Sequence, residues 1–188
     1  MYEEKVILVD KTDNKIGLMN KMEAHQKGLL HRAFSIIIFN DKHEMLLQKR
    51  ASTKYHTPNL WSNTCCSHQR DGENNISAGR RRLKEEMGFD VDLYKFDSFI
   101  YKAFFSNGLI EHEYDHILIG LYNNNPKINL SEVDEWKWVN MDWLCNDIQI
   151  YPEKYTKWFI IIIDKYFESL KKWKLQKVEK HILMLRID

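Results

Sequence analysis

Glycine, proline and cysteine are scarce in this sequence of 188 residues. It contains 7 Gly and 3 Pro, which leaves few flexible linkers, and we find no repeat or low-complexity segment. Three cysteines, two of them adjacent, make no disulfide framework and indicate a reducing setting. The N-terminal letters M-Y-E-E-K lack the apolar segment of a signal peptide. We therefore expect a cytoplasmic protein.

Long apolar runs and an excess of one charge are also missing. The longest apolar run, 158–163, is far short of the about 20 residues that a membrane span requires. Lys and Arg number 28 against 27 Asp and Glu, so no overall field attracts nucleic acid or an anionic membrane. We expect a small-molecule substrate, no nucleic-acid or membrane partner, and anion binding that is local.

The length predicts one domain over 1–188, because a chain of this size buries about 70% of its unfolded surface without disulfides or structural metal. Residues 1–20 are expected to form strands and could close over a site as a lid. Residues 175–188 are expected to form a tail. The aromatic-rich C-terminal part could complete the core or pair with a second chain, so a monomer and a homodimer both stay open.

Hydrophobic patterning predicts a mixed sheet with helices packed against it, the α+β form of an α/β sandwich. Strands are predicted at 6–9, 15–19, 33–39, 44–49, 96–105, 110–122 and 135–139. Helices are predicted at 75–87 after an Asn74 or Asn75 cap, at 141–146, and from Pro152 to about residue 174. Gly28 interrupts the stretch before the third strand, which predicts an irregular segment there.

One loop and helix, 63–89, combine a thiol, an imidazole, guanidinium groups and carboxylates. Cys66 and His68 stand two residues apart in the predicted loop, and the helix carries the charged side chains of Arg81, Arg82, Glu85 and Glu86. Packing alone does not call for this mixture. It indicates chemistry on an anionic, metal-bound substrate.

Strand alternation places Glu111 and Glu113 on one face of the strand at 110–122. Two neighbouring carboxylates repel unless a cation or a proton lies between them. Together with His25, His31 and His68 they would make a site of three nitrogen and two oxygen ligands, which suits Mn, Mg or Zn. The alternative is a solvent-exposed strand face and ordinary histidines.

Each candidate has a simpler interpretation when it is taken singly. Cys66 could be a small buried hydrophobe, which is the role we assign to Cys65 and Cys145. Surface positions are expected for His43 and His56. The simpler interpretation of the remaining candidates is solvated charge for Lys21, Arg50, Lys54 and Arg82, and core packing for Trp158.

Five motifs carry a resemblance to a known family. They are N-K-M-E-A-H-x5-H-R-A-F-S, K-R-A-S-T-K, W-S-N-T-C-C-S-H, R-R-L-K-E-E-M-G and E-H-E-Y-D, in this order and with fitting gaps. Over 21–158 the chain resembles the type 1 isopentenyl-diphosphate Δ-isomerases, a family of the Nudix superfamily. The resemblance implies a Nudix-like fold, with a central mixed sheet flanked by helices.

The resemblance also implies roles for individual residues. Cys66 and Glu113 would be the catalytic pair, with Tyr101 beside Glu113. The catalytic metal would be bound by His25, His31, His68, Glu111 and Glu113, and Glu86 would hold a second Mg²⁺ that bridges the substrate diphosphate. The diphosphate would be contacted by Lys21, Arg50, Lys54 and Arg82, while Trp158 would face the hydrocarbon.

The implied reaction interconverts isopentenyl and dimethylallyl diphosphate, an isomerase reaction of isoprenoid biosynthesis. A 1,3-proton shift through a tertiary carbocation needs an acid–base pair, which suits Cys66 and Glu113. The cation needs a dry cavity and an aromatic face, which Trp158 can supply. No flavin or nicotinamide is expected, since the sequence lacks a glycine-rich dinucleotide fingerprint.

Two positions depart from the Nudix signature G-x5-E-x7-R-E-U-x-E-E-x-G-U, where U is a bulky apolar residue. Aligned on Gly88, the chain has Ser67 at the opening glycine and Arg82 at a carboxylate position, while the other signature positions fit through Glu73, Arg81, Leu83, Glu85, Glu86 and Phe89. A left-handed backbone at Ser67 would cost about 1 kcal/mol or more. Arg82 disfavours the alternative of a pyrophosphohydrolase acting on nucleoside diphosphate derivatives. An intact acid–base pair disfavours a non-catalytic diphosphate-binding module.

Overall fold

The computed structural model describes residues 4–185, and from residue 174 onward it describes the backbone alone. The strands are β1 (Lys5–Val9), β2 (Lys15–Asn20), β3 (His31–Phe39), β4 (Glu44–Arg50), β5 (Trp61–Ser62), β6 (Cys65–Ser67), β7 (Tyr94–Phe104), β8 (Ile110–Leu121) and β9 (Val133–Asn140). The helices are α1 (Lys21–Lys27), α2 (Asn75–Met87), α3 (Met141–Ile150) and α4 (Lys157–Leu185), with a short 3-10 turn at Pro152–Lys154. Within residues 4–185, helices fall short of the length and apolar character needed to cross a bilayer.

The strands form one mixed sheet, and strand alternation sends its apolar side chains to two opposite layers. Ile37 and Phe39 of β3 pack in a core cluster with Phe159 and Ile163 of α4. Ile36, from the same strand, packs on the other side in a second cluster. This second cluster also includes Leu83 and Met87 of α2. The predicted α/β sandwich with a Nudix-like mixed sheet is confirmed.

Parallel pairing of β3 with β8 forms the middle of the sheet and sets the position of the site. His31 is the register partner of Glu113, and Ala33 is the partner of Asp115. On its other edge β3 pairs antiparallel with β6, where Ser35 lies opposite Cys66. Residues that are far apart in sequence therefore meet at one end of this strand trio.

Helix α2 has the cap and packing face that the sequence predicts. The Asn74 side chain accepts a hydrogen bond from the Ser77 amide, and Gly88 ends the helix with φ 75°. A Cβ at Gly88 would lie 2.2 Å from the Lys127 carbonyl oxygen, so only glycine fits this turn. The register of Arg82 and Glu86 on the helix follows from these two fixed ends.

The irregular segment predicted around Gly28 is wrong. Residues Lys21–Lys27 form α1, which the Asn20 side chain caps by accepting from the amides of Met22 and Glu23. Gly28 lies in the left-handed conformation and ends this helix. The glycine is therefore a helix terminator, which is its usual role at that position.

Several predicted boundaries also change. The loop predicted around Cys66 contains the short strands β5 and β6. Helix α3 continues to Ile150, and the helix predicted from Pro152 is divided into the 3-10 turn and α4. The predicted tail begins within α4, and its last three residues lie outside the described range.

Candidate active site and metal centre

Four buried side chains form a group that could hold a metal ion. They are His25 of α1, His31 at the start of β3, His68 just after β6 and Glu113 of β8, and one ligand atom from each lies within 4.8 Å of all the others. We call these four residues the metal group. Three nitrogens and a carboxylate match the ligand types that Zn and Mn accept.

Backbone carbonyls fix the orientation of two of these imidazoles. His25 Nδ1 lies 2.6 Å from the Lys21 carbonyl oxygen, and His31 Nδ1 lies 2.8 Å from that of Leu29. A carbonyl oxygen only accepts, so each Nδ1 is the donor. The Nε2 atoms of both rings then face the site, as second-shell partners arrange them in histidine metal ligands.

Both Nε2 atoms face carboxylates at short range. His25 Nε2 lies 3.0 Å from Glu111 Oε2, and His31 Nε2 lies 3.6 Å from Glu113 Oε1. Two lone pairs in such contact repel each other, so a proton or a metal cation has to lie between them. Burial favours a low pKa for His25, but the Glu111 carboxylate outweighs it and raises the pKa. The buried donor set therefore fits a divalent cation.

His68 is held in its neutral form. Its Nε2 lies 3.1 Å from Glu113 Oε1, and burial lowers the pKa of His68 to about 4. A neutral imidazole is the form that binds metal ions.

Glu111 lies beside the metal group instead of within it. Each of its two carboxylate oxygens contacts one imidazole nitrogen: Oε2 lies 3.0 Å from His25 Nε2, and Oε1 lies 3.3 Å from His56 Nε2. The structure thus brings four of the five predicted ligands together and places the fifth in contact with one of them. Glu111 and Glu113 do share one face of β8, as strand alternation predicts.

Tyr101 and Glu113 form a hydrogen-bonded pair. The two residues are register partners on β7 and β8, and Tyr101 Oη donates to Glu113 Oε2 at 2.6 Å. Burial, and then the charge of Glu113, raise the pKa of Tyr101 well above its usual value. Burial favours a high pKa for Glu113 too, but the neighbouring imidazoles of His31 and His68 outweigh it and lower this pKa. The pair is therefore a phenol and an ionised carboxylate.

Cys66 and Glu113 line the same enclosed cavity, which has a volume of about 70 Å³. Its wall includes Tyr101, Trp158 and Phe34. Burial raises the pKa of Cys66 to about 12, against the opposing charge of Arg50. The thiol therefore keeps its proton at neutral pH, and the cavity holds one proton donor and one ionised acceptor.

Trp158 is both a core residue and a cavity wall. It is buried in the cluster around α4, and its Nε1 donates to Ser62 Oγ at 3.0 Å. The Arg50 guanidinium carbon lies 5.3 Å from the centre of its ring. The two interpretations of this residue are thus compatible, because one side packs and the other faces the cavity.

A second space, a cleft of about 1010 Å³, adjoins the cavity. The two spaces share six wall residues, which are Lys21, Arg50, Tyr55, Cys66, Ser67 and His68. The four cations expected to contact a diphosphate all line the cleft, and three others lie with them: Lys21, Arg50, Lys54, Arg82, Lys5, Arg70 and Arg81. Four carboxylates line it too, so the cleft carries net positive charge.

The cleft carboxylates pair with its cations. Lys54 forms an ion pair with Glu132, and Arg82 contacts both Glu86, at 2.5 Å, and Glu132. Glu86 is buried and also accepts a hydrogen bond from Gln48 at 3.1 Å. Glu86 therefore lines the cleft and lies outside the metal group.

His56 is the site residue that sequence reasoning missed. The expectation of a surface position is wrong: the side chain is buried, touches Glu111 and lines the cavity. It lies in a loop without periodic hydrophobicity, so no sequence pattern indicates its direction. His43, in contrast, lies on the turn after β3 as predicted.

Ser67 needs no left-handed backbone. It ends β6 and pairs with Phe34 of β3, so its backbone is extended. The conformational penalty considered for serine at this position does not arise.

A family model and the similar proteins found by comparison agree on the family of this chain. The family model described as "NUDIX domain" matches residues 29–159. The chain is 50% identical over 163 residues to "Isopentenyl-diphosphate Delta-isomerase 2" of Aromatoleum aromaticum, covering 87% of this chain and 86% of that protein. It is 52% identical over 172 residues to the protein of the same name from Photorhabdus laumondii, covering 91% and 97%.

A solved structure shows the same fold at low identity. The protein DR0079 from Deinococcus radiodurans superposes with a TM-score of 0.65 and 16% identity, covering 78% of this chain and 90% of that one. This likeness concerns the fold alone.

Proposed function

The chain belongs to the isopentenyl-diphosphate Δ-isomerase family of the Nudix superfamily, and from that premise we propose that it interconverts isopentenyl and dimethylallyl diphosphate. The observation that carries the proposal is the enclosed cavity in which a protonated thiol and an ionised carboxylate both face the space beside a cationic cleft. We propose that this cytoplasmic enzyme supplies isoprenoid biosynthesis, with residues 1–188 as one catalytic domain.

Substrate binding divides between the two spaces. The diphosphate lies in the cleft, where Lys21, Arg50, Lys54 and Arg82 offer positive charge. The five-carbon chain enters the cavity, whose small volume of about 70 Å³ excludes bulk water once it is filled. Lys21 and Arg50 line both spaces and hold the substrate at the boundary.

The proton shift uses the two polar groups of the cavity. One of Cys66 and Glu113 adds a proton to the alkene, and the other removes one from the carbon on the far side of the resulting cation. One C–H bond forms and one breaks, so the substrate keeps its number of hydrogens, and the two groups exchange roles when the reaction reverses. Tyr101 donates to Glu113 at 2.6 Å, which fixes the carboxylate and provides a path for its proton.

The metal group and Glu86 would hold divalent cations. His25, His31, His68 and Glu113, with Glu111 beside them, would bind Mn, Mg or Zn, and Glu86 would hold Mg²⁺ against the diphosphate. When bound, these cations supply positive charge that orients Glu113 and neutralises the diphosphate. Neither flavin nor nicotinamide is required by this chemistry.

The tertiary carbocation is stabilised by the walls of the cavity. The Trp158 ring lines it, and an aromatic face attracts a desolvated cation by about 2 kcal/mol. Ala33, Phe34 and Trp158 form the apolar part of the wall, and a substrate that fills a cavity of about 70 Å³ leaves no room for bulk water. Water is thereby kept from trapping the cation.

The N-terminal hairpin of β1 and β2 is proposed to cover the cleft. Glu4 and Leu18 line it, Glu4 contacts Lys21 at 3.2 Å, and Lys15 contacts Asp71 at 2.5 Å. Removal of residues 1–20 is expected to lower turnover. Unchanged turnover of the shortened protein would contradict this role.

An NMR assay in D₂O tests the function. Purified protein with Mg²⁺ and trace Mn²⁺ or Zn²⁺ is expected to convert isopentenyl diphosphate to dimethylallyl diphosphate, with deuterium in the methyl group derived from the vinyl carbon. Unchanged substrate with metal demonstrably bound would overturn the proposal. Release of phosphate from nucleoside diphosphate derivatives would then indicate a hydrolase, and tight diphosphate binding without turnover a binding module.

A further inference from the structure

His56 is a buried cavity residue to which the proposed function gives no task. Its side chain is 3% exposed and lies on the loop between β4 and β5. The backbone carbonyl of His56 accepts a hydrogen bond from Arg50 Nη2 at 2.9 Å, and the ring meets Phe105 edge-on with 4.3 Å between centroids. Both the backbone and the ring are therefore held in place.

The fixed ring aims one nitrogen at Glu111. His56 Nε2 lies 3.3 Å from Glu111 Oε1, while His25 Nε2 lies 3.0 Å from Oε2. Because His25 donates from Nδ1 to the Lys21 carbonyl, its Nε2 is the nitrogen available to a metal. The carboxylate of Glu111 is thus fixed between one member of the metal group and one histidine outside it.

We propose that His56 is a positioning residue, which donates from Nε2 to Glu111 Oε1 and so holds the Glu111 carboxylate against His25 at the metal group. The inference rests on the proposed function, since that function gives the metal group its task. It adds a fourth histidine-to-glutamate contact to the three made by members of the metal group.

The two aromatic neighbours of His56 give Glu111 no replacement for this contact. The His56 ring lies between Phe105 and Trp158, whose ring centroid is 6.1 Å away, and neither side chain can donate at that position. A buried carboxylate oxygen without a donor is costly. Without His56, Glu111 is expected to turn away from His25, and loss of such an outer partner typically weakens metal binding 10- to 100-fold.

Mn²⁺ affinity of the substrate-free protein tests the proposal, measured from free Mn²⁺ by electron paramagnetic resonance. His56→Ala is expected to weaken binding by about 10-fold or more. His56→Gln places an amide donor near the position of Nε2 and is expected to restore most of the affinity. His56→Asn is one bond shorter and is expected to resemble the alanine variant. His43→Asn, on the turn after β3, is the control and should bind as the wild type does.

A double-mutant cycle separates positioning from a general structural effect. If His56 acts through Glu111, His56→Ala in a Glu111→Gln background should weaken Mn²⁺ binding no further. In the isomerase assay His56→Ala should lower kcat, with KM within about twofold, because the diphosphate contacts are intact.

Each other outcome would decide against the proposal. Unchanged Mn²⁺ affinity with a raised KM would mean that His56 only supports the Arg50 loop. Wild-type protein that isomerises and binds Mn²⁺, with His56→Ala and His56→Gln equal to it, would overturn this inference and leave the function standing. Wild-type protein that neither binds Mn²⁺ nor isomerises would overturn both.

Discussion

The cavity and the cleft share six wall residues and yet differ in the groups that line the rest of each space. In the cavity, of about 70 Å³, burial dominates at Tyr101, which lines this space alone, and raises its pKa well above the usual value. In the cleft, of about 1010 Å³, cations and carboxylates pair with one another, as Lys54 does with Glu132 and Arg82 with Glu86. The difference shows how one site can hold a highly charged diphosphate and still protect a carbocation.

The division predicts that cavity variants lower kcat and cleft variants raise KM. Burial makes each cavity group hard to replace, because water cannot take over its role. Each cation of the cleft has other cations beside it, and solvent ions screen its charge. The loss of one positive charge is therefore partly compensated. The following variants test this division, from the largest expected effect to the smallest.

Glu113→Gln should have the largest effect, since this carboxylate belongs to both the metal group and the acid–base pair. We expect kcat to fall by about 10⁴-fold or more, and Mn²⁺ affinity to fall by about 10- to 100-fold. Turnover by NMR and metal content by mass spectrometry measure the two losses. A variant that kept full metal content and lost less than tenfold in kcat would contradict both assignments.

Cys66→Ala should remove activity without removing metal. The thiol lines the cavity but lies outside the metal group, so we expect kcat to fall by about 10²- to 10⁴-fold with wild-type metal content. Cys145→Ala, on α3, is the matched control and should keep its activity. Metal loss in Cys66→Ala would instead identify the thiol as a ligand.

Glu86→Gln and Glu85→Gln compare two neighbours on α2. Glu86 is buried at the cleft, whereas the Glu85 side chain is 38% exposed and pairs with Arg81 and Arg82 at the surface. We expect kcat/KM to fall by about 10- to 100-fold for Glu86→Gln and by less than about threefold for Glu85→Gln. The reverse order would mean that the wrong face of α2 has been assigned to the substrate.

Lys54→Met should give the smallest change, confined to KM. Lys54 already pairs with Glu132, so losing its contact to a diphosphate should raise KM by about tenfold, or about 1.4 kcal/mol. Steady-state kinetics at low and high salt measure it, because screening should raise the wild-type KM in the same direction with little effect on kcat. A lowered kcat at unchanged KM would contradict the prediction that cleft residues act on KM and cavity residues on kcat.

Local patterns predicted much of the fold. The Asn74 cap, the packing face of α2 and the common face of Glu111 and Glu113 follow from neighbours within a few positions, and all three are present. The family resemblance added the ligand set, which spacing alone does not provide. Four of its five members converge, and the parallel pairing of β3 with β8 brings two of them, His31 and Glu113, together.

Features that depend on distant contacts were not predictable in this way. Helix α1 has only seven residues and depends on its two caps, so the glycine that ends it resembled an interruption. Strands β5 and β6 are too short to show alternation and exist because β4 and β3 pair with them. The burial of His56 is decided by Phe105, Trp158 and Glu111, which no local pattern reveals.

The pairing of His31 with Glu113 also has a consequence for the order of folding. These two members of the metal group become neighbours only when β3 and β8 align in parallel, and closing so long a loop is slow. The site therefore does not exist until the middle of the sheet has formed. A metal ion that binds there cannot nucleate folding; it acts on the finished protein by slowing its unfolding.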